Sequence, residues 1–153
     1  MGSPYAGASG TGGSAGSPSF LLPGAATAER PPISGVEGDL LRRVLYFLLF
    51  PNTLVSLHPD YVMLHTLWPR AVDRTEVVCD WLFEPATMAQ EGFDASDAVE
   101  FWDQVNREDW EVCRLTQLGL QTTGFEPGRY TTQEGDVHAF DTMVAERYLA
   151  AAG

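Results

Sequence analysis

Basic side chains are scarce in this 153-residue chain: nine arginines and no lysine stand against 21 aspartates and glutamates, a net charge of −12 at neutral pH. Such a balance repels phosphate backbones and anionic lipid headgroups, so no nucleic-acid or membrane-surface partner is expected. The acidity itself asks for no explanation beyond solubility. Cysteine is nearly missing too. Cys79 and Cys113 lie far apart in sequence, and no disulfide framework is expected of them. Both are expected to be reduced, buried in apolar surroundings in a cytoplasmic protein. Neither has metal-ligand spacing to a second cysteine or to a histidine. The longest apolar run, Val44–Phe50, is too short to span a bilayer, and no charged start followed by an apolar stretch marks a secretory signal.

What the chain does have is 44% hydrophobic content with 11% aromatics, enough for one globular domain with a genuine core. Residues 1–28 stand apart. They are mostly Gly, Ser, Ala and Pro, cannot bury enough apolar surface to offset ordering entropy, and are expected to form a flexible arm. Residues 29–153 form the domain. Val44–Phe50, bounded by Arg42-Arg43 and Pro51-Asn52, predicts a strand buried on both faces. Leu54–Leu57, Tyr61–Trp68 and Thr75–Phe83 predict three more strands, the last two separated by a turn over residues 69–74. Connections this short favour antiparallel pairing. Helices follow: one capped by Asp94 or Ser96 and running to about Leu118, with Gly119 as its stop, and one from near Asp136 to Ala150.

On the first of these helices one residue breaks the pattern. At about 100° per residue, Ala98, Val105, Val112, Cys113 and Thr116 fall within roughly 80° of Trp102 and form an apolar stripe. Asp109 lands near the middle of it, with Asn106 beside it. A buried carboxylate costs several kcal/mol unless something pairs with it. Arg42, Arg43, a backbone cap or a rotated helix would answer that cost. So would a metal ion or a catalytic task in a pocket between helix and sheet. Left without a partner, Asp109 would have a raised pKa, and Asp109→Asn would be neutral or stabilising. His58 and His65 are seven residues apart, which on a single strand would place them on opposite faces, and ordinary packing suits both better than metal binding. His138 is expected to interact with Asp136 or Asp141.

Several ordered segments resemble the C-terminal part of the catalytic domain of Rieske non-haem iron oxygenases, the large subunits of ring-hydroxylating and related enzymes. They are Leu48-Leu49-Phe50-Pro51-Asn52, Ser56-Leu57-His58-Pro59-Asp60-Tyr61-Val62, Asp73-Arg74-Thr75, Trp81-Leu82-Phe83, Asp97 to Asp103, Asn106-Arg107-Glu108-Asp109-Trp110 and His138-Ala139-Phe140-Asp141. The resemblance spans about residues 30–150. It implies an α+β helix-grip fold, a curved antiparallel sheet packed on a long C-terminal helix with a pocket between them.

The resemblance also implies a non-haem Fe(II) held by two histidines and an aspartate, fed by a 2Fe–2S cluster. Asp109-Trp110-Glu111-Val112 matches the family's aspartate segment, so Asp109 resembles the carboxylate ligand, and Trp102, Val105, Asn106 and Val112 are expected to line the substrate pocket. Position 114, often acidic in the family, is Arg114. The family's histidine pair, and its cluster motif of Cys-x-His followed by Cys-x-x-His, have no counterpart in this sequence. The chain is therefore expected to be inactive alone. Three readings follow. It is a piece of an oxygenase, a stand-alone module binding an apolar molecule, or a subunit completed by a separately encoded chain. Expected partners are a small organic substrate, a Rieske-domain or reductase protein, and further copies of the chain.

Overall fold

In a computed structural model the described residues are 30–153 and the backbone of 18–20. The arm expected over residues 1–28 otherwise lies outside them. Pro18–Phe20 (β1) sits within that stretch and pairs antiparallel with the next strand, Pro18 opposite Leu45. A glycine-rich neighbourhood does not prevent this, because backbone pairing needs no buried side chain.

The four predicted strands are present as β2 (Arg43–Leu49), β3 (Thr53–Leu57), β4 (Val62–Ala71) and β5 (Arg74–Leu82). They form an antiparallel sheet in chain order, β1-β2-β3-β4-β5. The turn expected over residues 69–74 is shorter. β4 continues through Pro69 to Ala71, with a register shift between those two residues, and only Val72 and Asp73 make the loop. Such an irregularity lets a proline sit at the end of a strand without costing a ladder bond.

Register assigns faces, because side chains alternate along each strand. Val44 and Tyr46, Ser56, Met63 and His65, and Cys79 and Trp81 share one face through the pairings Tyr46↔Ser56, Ser56↔Met63, Met63↔Trp81 and His65↔Cys79. On that face sits the long helix α2 (Ser96–Leu120), which follows a single turn, α1 (Pro85–Met88). Asp94 receives the Ser96 amide at 2.9 Å and its hydroxyl at 2.7 Å, the predicted start signal. Tyr61, Met63, Ala98 and Trp102 form the core, with Cys79, Trp81, Phe83, Phe101 and Val105 packed against it.

The core therefore lies under β4 and β5. β2 was expected to be buried on both faces, and it is not: Val44 is its only buried residue, while Tyr46 and Leu49 are 42% and 56% exposed. An apolar run records what a strand can bury, and the core cluster draws its residues from β4, β5 and α2 instead. The residues from Leu118 to Gly153 form a separate compact unit containing α3 (Gly135–Ala152). Within it the His138 ring packs 4.8 Å from Tyr130, and Tyr130 donates to Asp141 at 2.6 Å. Among the described residues no helix is long and apolar enough to cross a membrane.

Candidate functional site

Three levels of contact tie α2 to the sheet, and each joins residues distant in sequence. At the N-terminal end Arg30 donates through Nε to Asp60 at 2.9 Å and through Nη2 to Asp97 at 2.8 Å, with its guanidinium 5.2 Å above the Phe83 ring. The Arg30 and Asp60 side chains are 7% and 1% exposed, so this is an ion pair out of water. Burial pushes the Asp60 carboxyl up, outweighing the pull of Arg30 in the other direction.

One turn further along α2, Trp102 donates from Nε1 to the Tyr61 hydroxyl at 3.1 Å. Around that bond the aromatics close up. His58 stacks on Tyr61 at 4.2 Å and meets Trp102 edge-on at 5.7 Å. His65 meets the same indole edge-on at 5.3 Å. Both histidines therefore contact one side chain, although an odd separation on one strand would have set them apart. The reason is a break between them: His58 follows β3, its amide bonding the Tyr61 carbonyl at 2.9 Å across Pro59-Asp60, and His65 lies on β4. His58 is 1% exposed, and neither ring nitrogen has a hydrogen-bond partner among the described residues. Desolvation lowers its pKa to about 4.

The third level is polar. His65 Nε2 and Asn106 Oδ1 are 2.9 Å apart, both residues buried, and the Asn106 amide nitrogen lies 3.6 Å from Cys79 Sγ. Burial pushes the Cys79 thiol up, so it is held as a neutral thiol.

Of the residues read as pocket wall, Trp102, Val105 and Asn106 are brought together on the sheet-facing side of α2. Val112 is not, being 62% exposed. Asp109 is exposed as well, and among the described residues it has no ion pair, so it meets neither Arg42 nor Arg43. Its expected burial is thus corrected. Cys113, expected to be buried, is exposed, and Cys79 is half-buried. One physical reason covers the three on α2, Asp109, Val112 and Cys113. A helical wheel preserves angle and discards distance along the axis. Asp109 and Cys113 do share the azimuth of Trp102, but they lie about 10 and 16 Å further along at 1.5 Å per residue. Asn106 is the last buried residue of α2. No local pattern in the sequence announces the Arg30–Asp60–Asp97 clamp, since Arg30 lies 30 and 67 residues from its two partners.

Among the described residues no group of three or more His, Cys, Asp or Glu side chains could hold a metal ion. They do not make a complete iron site. Asp109 provides one exposed carboxylate, His65 spends Nε2 on Asn106, and His58 is sealed between two aromatics.

The chain matches the family model for the ring hydroxylating alpha subunit (catalytic domain) over residues 10–150. It is 26% identical over 100 residues to the chloroplastic choline monooxygenase of Arabidopsis thaliana, a match covering 65% of this chain and 24% of that protein. It is 28% identical over 103 residues to the glycine betaine monooxygenase oxygenase subunit of Pseudomonas aeruginosa, covering 67% of this chain and 24% of that protein. The chain thus spans about a quarter of the length of the curated relatives it matches. With a match over nearly its whole length, it belongs to the catalytic-domain family of ring-hydroxylating oxygenase alpha subunits, Rieske-type enzymes that carry a 2Fe–2S cluster and a non-haem iron.

Proposed function

We propose that this chain supplies the carboxylate and one wall of the pocket in a Rieske-type oxygenase acting on a small organic substrate. In this reading Asp109 is the aspartate ligand of the ferrous ion, and the two histidines come from outside the described residues, as on a separately encoded chain. The observation that carries the reading is positional. Asp109 stands one turn beyond a run of α2 that is fixed to the sheet through Trp102 and Asn106, and it is exposed there, as a ligand must be if its partners come from elsewhere. The complete sheet would curl round α2 as a helix grip. Electrons would arrive from a Rieske-domain or reductase protein, and the assembly would contain several copies.

The names of the relatives suggest a substrate class. Choline and glycine betaine both bear a methylated ammonium group, and a chain with a net charge of −12 and aromatics facing α2 suits a cation better than an anion. The bound iron would activate oxygen for hydroxylation or dealkylation. This chain's share is narrower: Asp109 supplies negative charge, while Trp102 and Val105 exclude water from the wall.

The test is metal retention. After anaerobic addition of ferrous iron and desalting, the purified chain should hold far less than one iron per chain, because a lone carboxylate competes poorly with water. Retention of one iron per chain, lost on Asp109→Ala, would overturn the reading that the histidines come from elsewhere, and retention that survives Asp109→Ala would remove Asp109 as a ligand as well.

A further inference from the structure

We propose that the His65–Asn106 hydrogen bond sets the rotation of α2 about its own axis and hence the direction in which Asp109 is presented, making both residues positioning residues for that carboxylate. This deepens the oxygenase reading and rests on it. Asp109 follows Asn106 by three residues, about 4.5 Å along the helix and about 60° round it. Nothing nearer can orient it, since Asn106 is the last buried residue of α2 and residues 107–116 are all exposed. The next hydrogen bond back, Trp102 to Tyr61, lies about 10 Å from position 109 along the axis, and Val105 between them packs on the core by apolar contact alone. Ala98, buried at 3% exposure, has no side chain long enough to resist rotation.

Asn106 is suited to the task because both ends of its amide are used. Its nitrogen faces Cys79 Sγ at 3.6 Å, so its oxygen faces the imidazole, and His65 must carry its proton on Nε2. The imidazole plane is in turn fixed by its edge contact with Trp102, at an interplanar angle of 72°. A leucine at 106 could fill the same space, but apolar contact tolerates rotation, whereas a hydrogen bond weakens steeply as its angle departs from linear. A polar residue at the last point of support therefore holds a direction that packing alone would leave loose. With its proton on Nε2, that nitrogen of His65 has no lone pair to offer a metal.

The test needs no iron, so it can fail independently of the oxygenase reading. In the full chain, backbone N–H residual dipolar couplings vary periodically along a helix, and their phase reports rotation about the helix axis. Wild-type protein should show one continuous phase from residue 98 to 116, and His65 nitrogen shifts should identify the Nε2–H tautomer. In Asn106→Leu and His65→Leu the couplings from residue 98 to 116 should change phase together, as the whole helix turns about its axis. His65→Gln, whose amide can still donate, should restore them. Unchanged couplings in both leucine variants would overturn the proposal. So would a His65 proton on Nδ1 in the wild-type protein, a result that stands even if a leucine variant does not fold.

Discussion

Lowering the pH should destabilise this fold through one buried imidazole. His58 is sandwiched between Tyr61 and Trp102 at 1% exposure, and desolvation brings its pKa from 6.5 to about 4. Above pH 6.5 the ring is neutral in both folded and unfolded chains, and its contribution to stability is fully present. Between 6.5 and about 4 the unfolded chain takes up a proton that the folded one refuses, so stability falls with pH. Below about 4 both forms are charged and the loss is complete. The gap between 6.5 and about 4, at 1.36 kcal/mol per pH unit, is worth about 3 kcal/mol. Asp60 complicates a simple titration, since its raised pKa contributes a slope of opposite sign at the acid end. His58→Phe keeps a ring against Tyr61 and leaves Asp60 in place, so comparing the two proteins isolates the imidazole. Urea unfolding measured from pH 7 to 4 should show wild type losing about 3 kcal/mol relative to the variant. A difference that stays constant over that range would refute the argument and mean that His58 is protonated or hydrogen-bonded in the folded state.

Arg30→Ala should cost about 3–5 kcal/mol by denaturant unfolding, because it strands the buried Asp60 carboxylate; adding Asp60→Asn should recover part of that loss. Asp109→Asn should change stability by less than about 0.5 kcal/mol, as befits an exposed side chain, and a larger loss would reveal a structural partner. Under native conditions a thiol reagent should modify the exposed Cys113 promptly and Cys79 only slowly, with mass spectrometry of the digested protein reading the ratio. Trp102→Phe should cost about 1 kcal/mol or more, since it leaves the Tyr61 hydroxyl without its donor.

The strands were legible because each is a short apolar run closed by turn residues, and β2 to β5 match the expected runs to within a few residues. The start of α2 was legible for a similar reason, a local cap at Asp94. Burial was less so. Val44–Phe50 and the stripe through Val112 and Cys113 have apolar patterns, but the core gathers β4, β5 and α2, and along the helix burial ends at Asn106. Pattern tells which side of an element can be buried; how far along its axis the burial extends depends on a partner elsewhere in the chain. The same limit hid the bonds that fix the site. Asn106 was read as a neighbour of Asp109 on the helix, yet its bond to His65 joins residues 41 apart in sequence, and Arg30 reaches Asp97 across 67. No local spacing records either. Family resemblance supplied the role expected of Asp109, and the structure returned a different environment for it.

The central claim, that Asp109 is an iron ligand completed from outside the described residues, is tested most directly by transplantation. Residues 30–153 would replace the matching segment of the Pseudomonas aeruginosa glycine betaine monooxygenase oxygenase subunit, and mononuclear iron would be measured in the folded chimera. The account predicts about one mononuclear iron per chain, lost on Asp109→Ala. A folded chimera that keeps its iron with alanine at position 109 would contradict it.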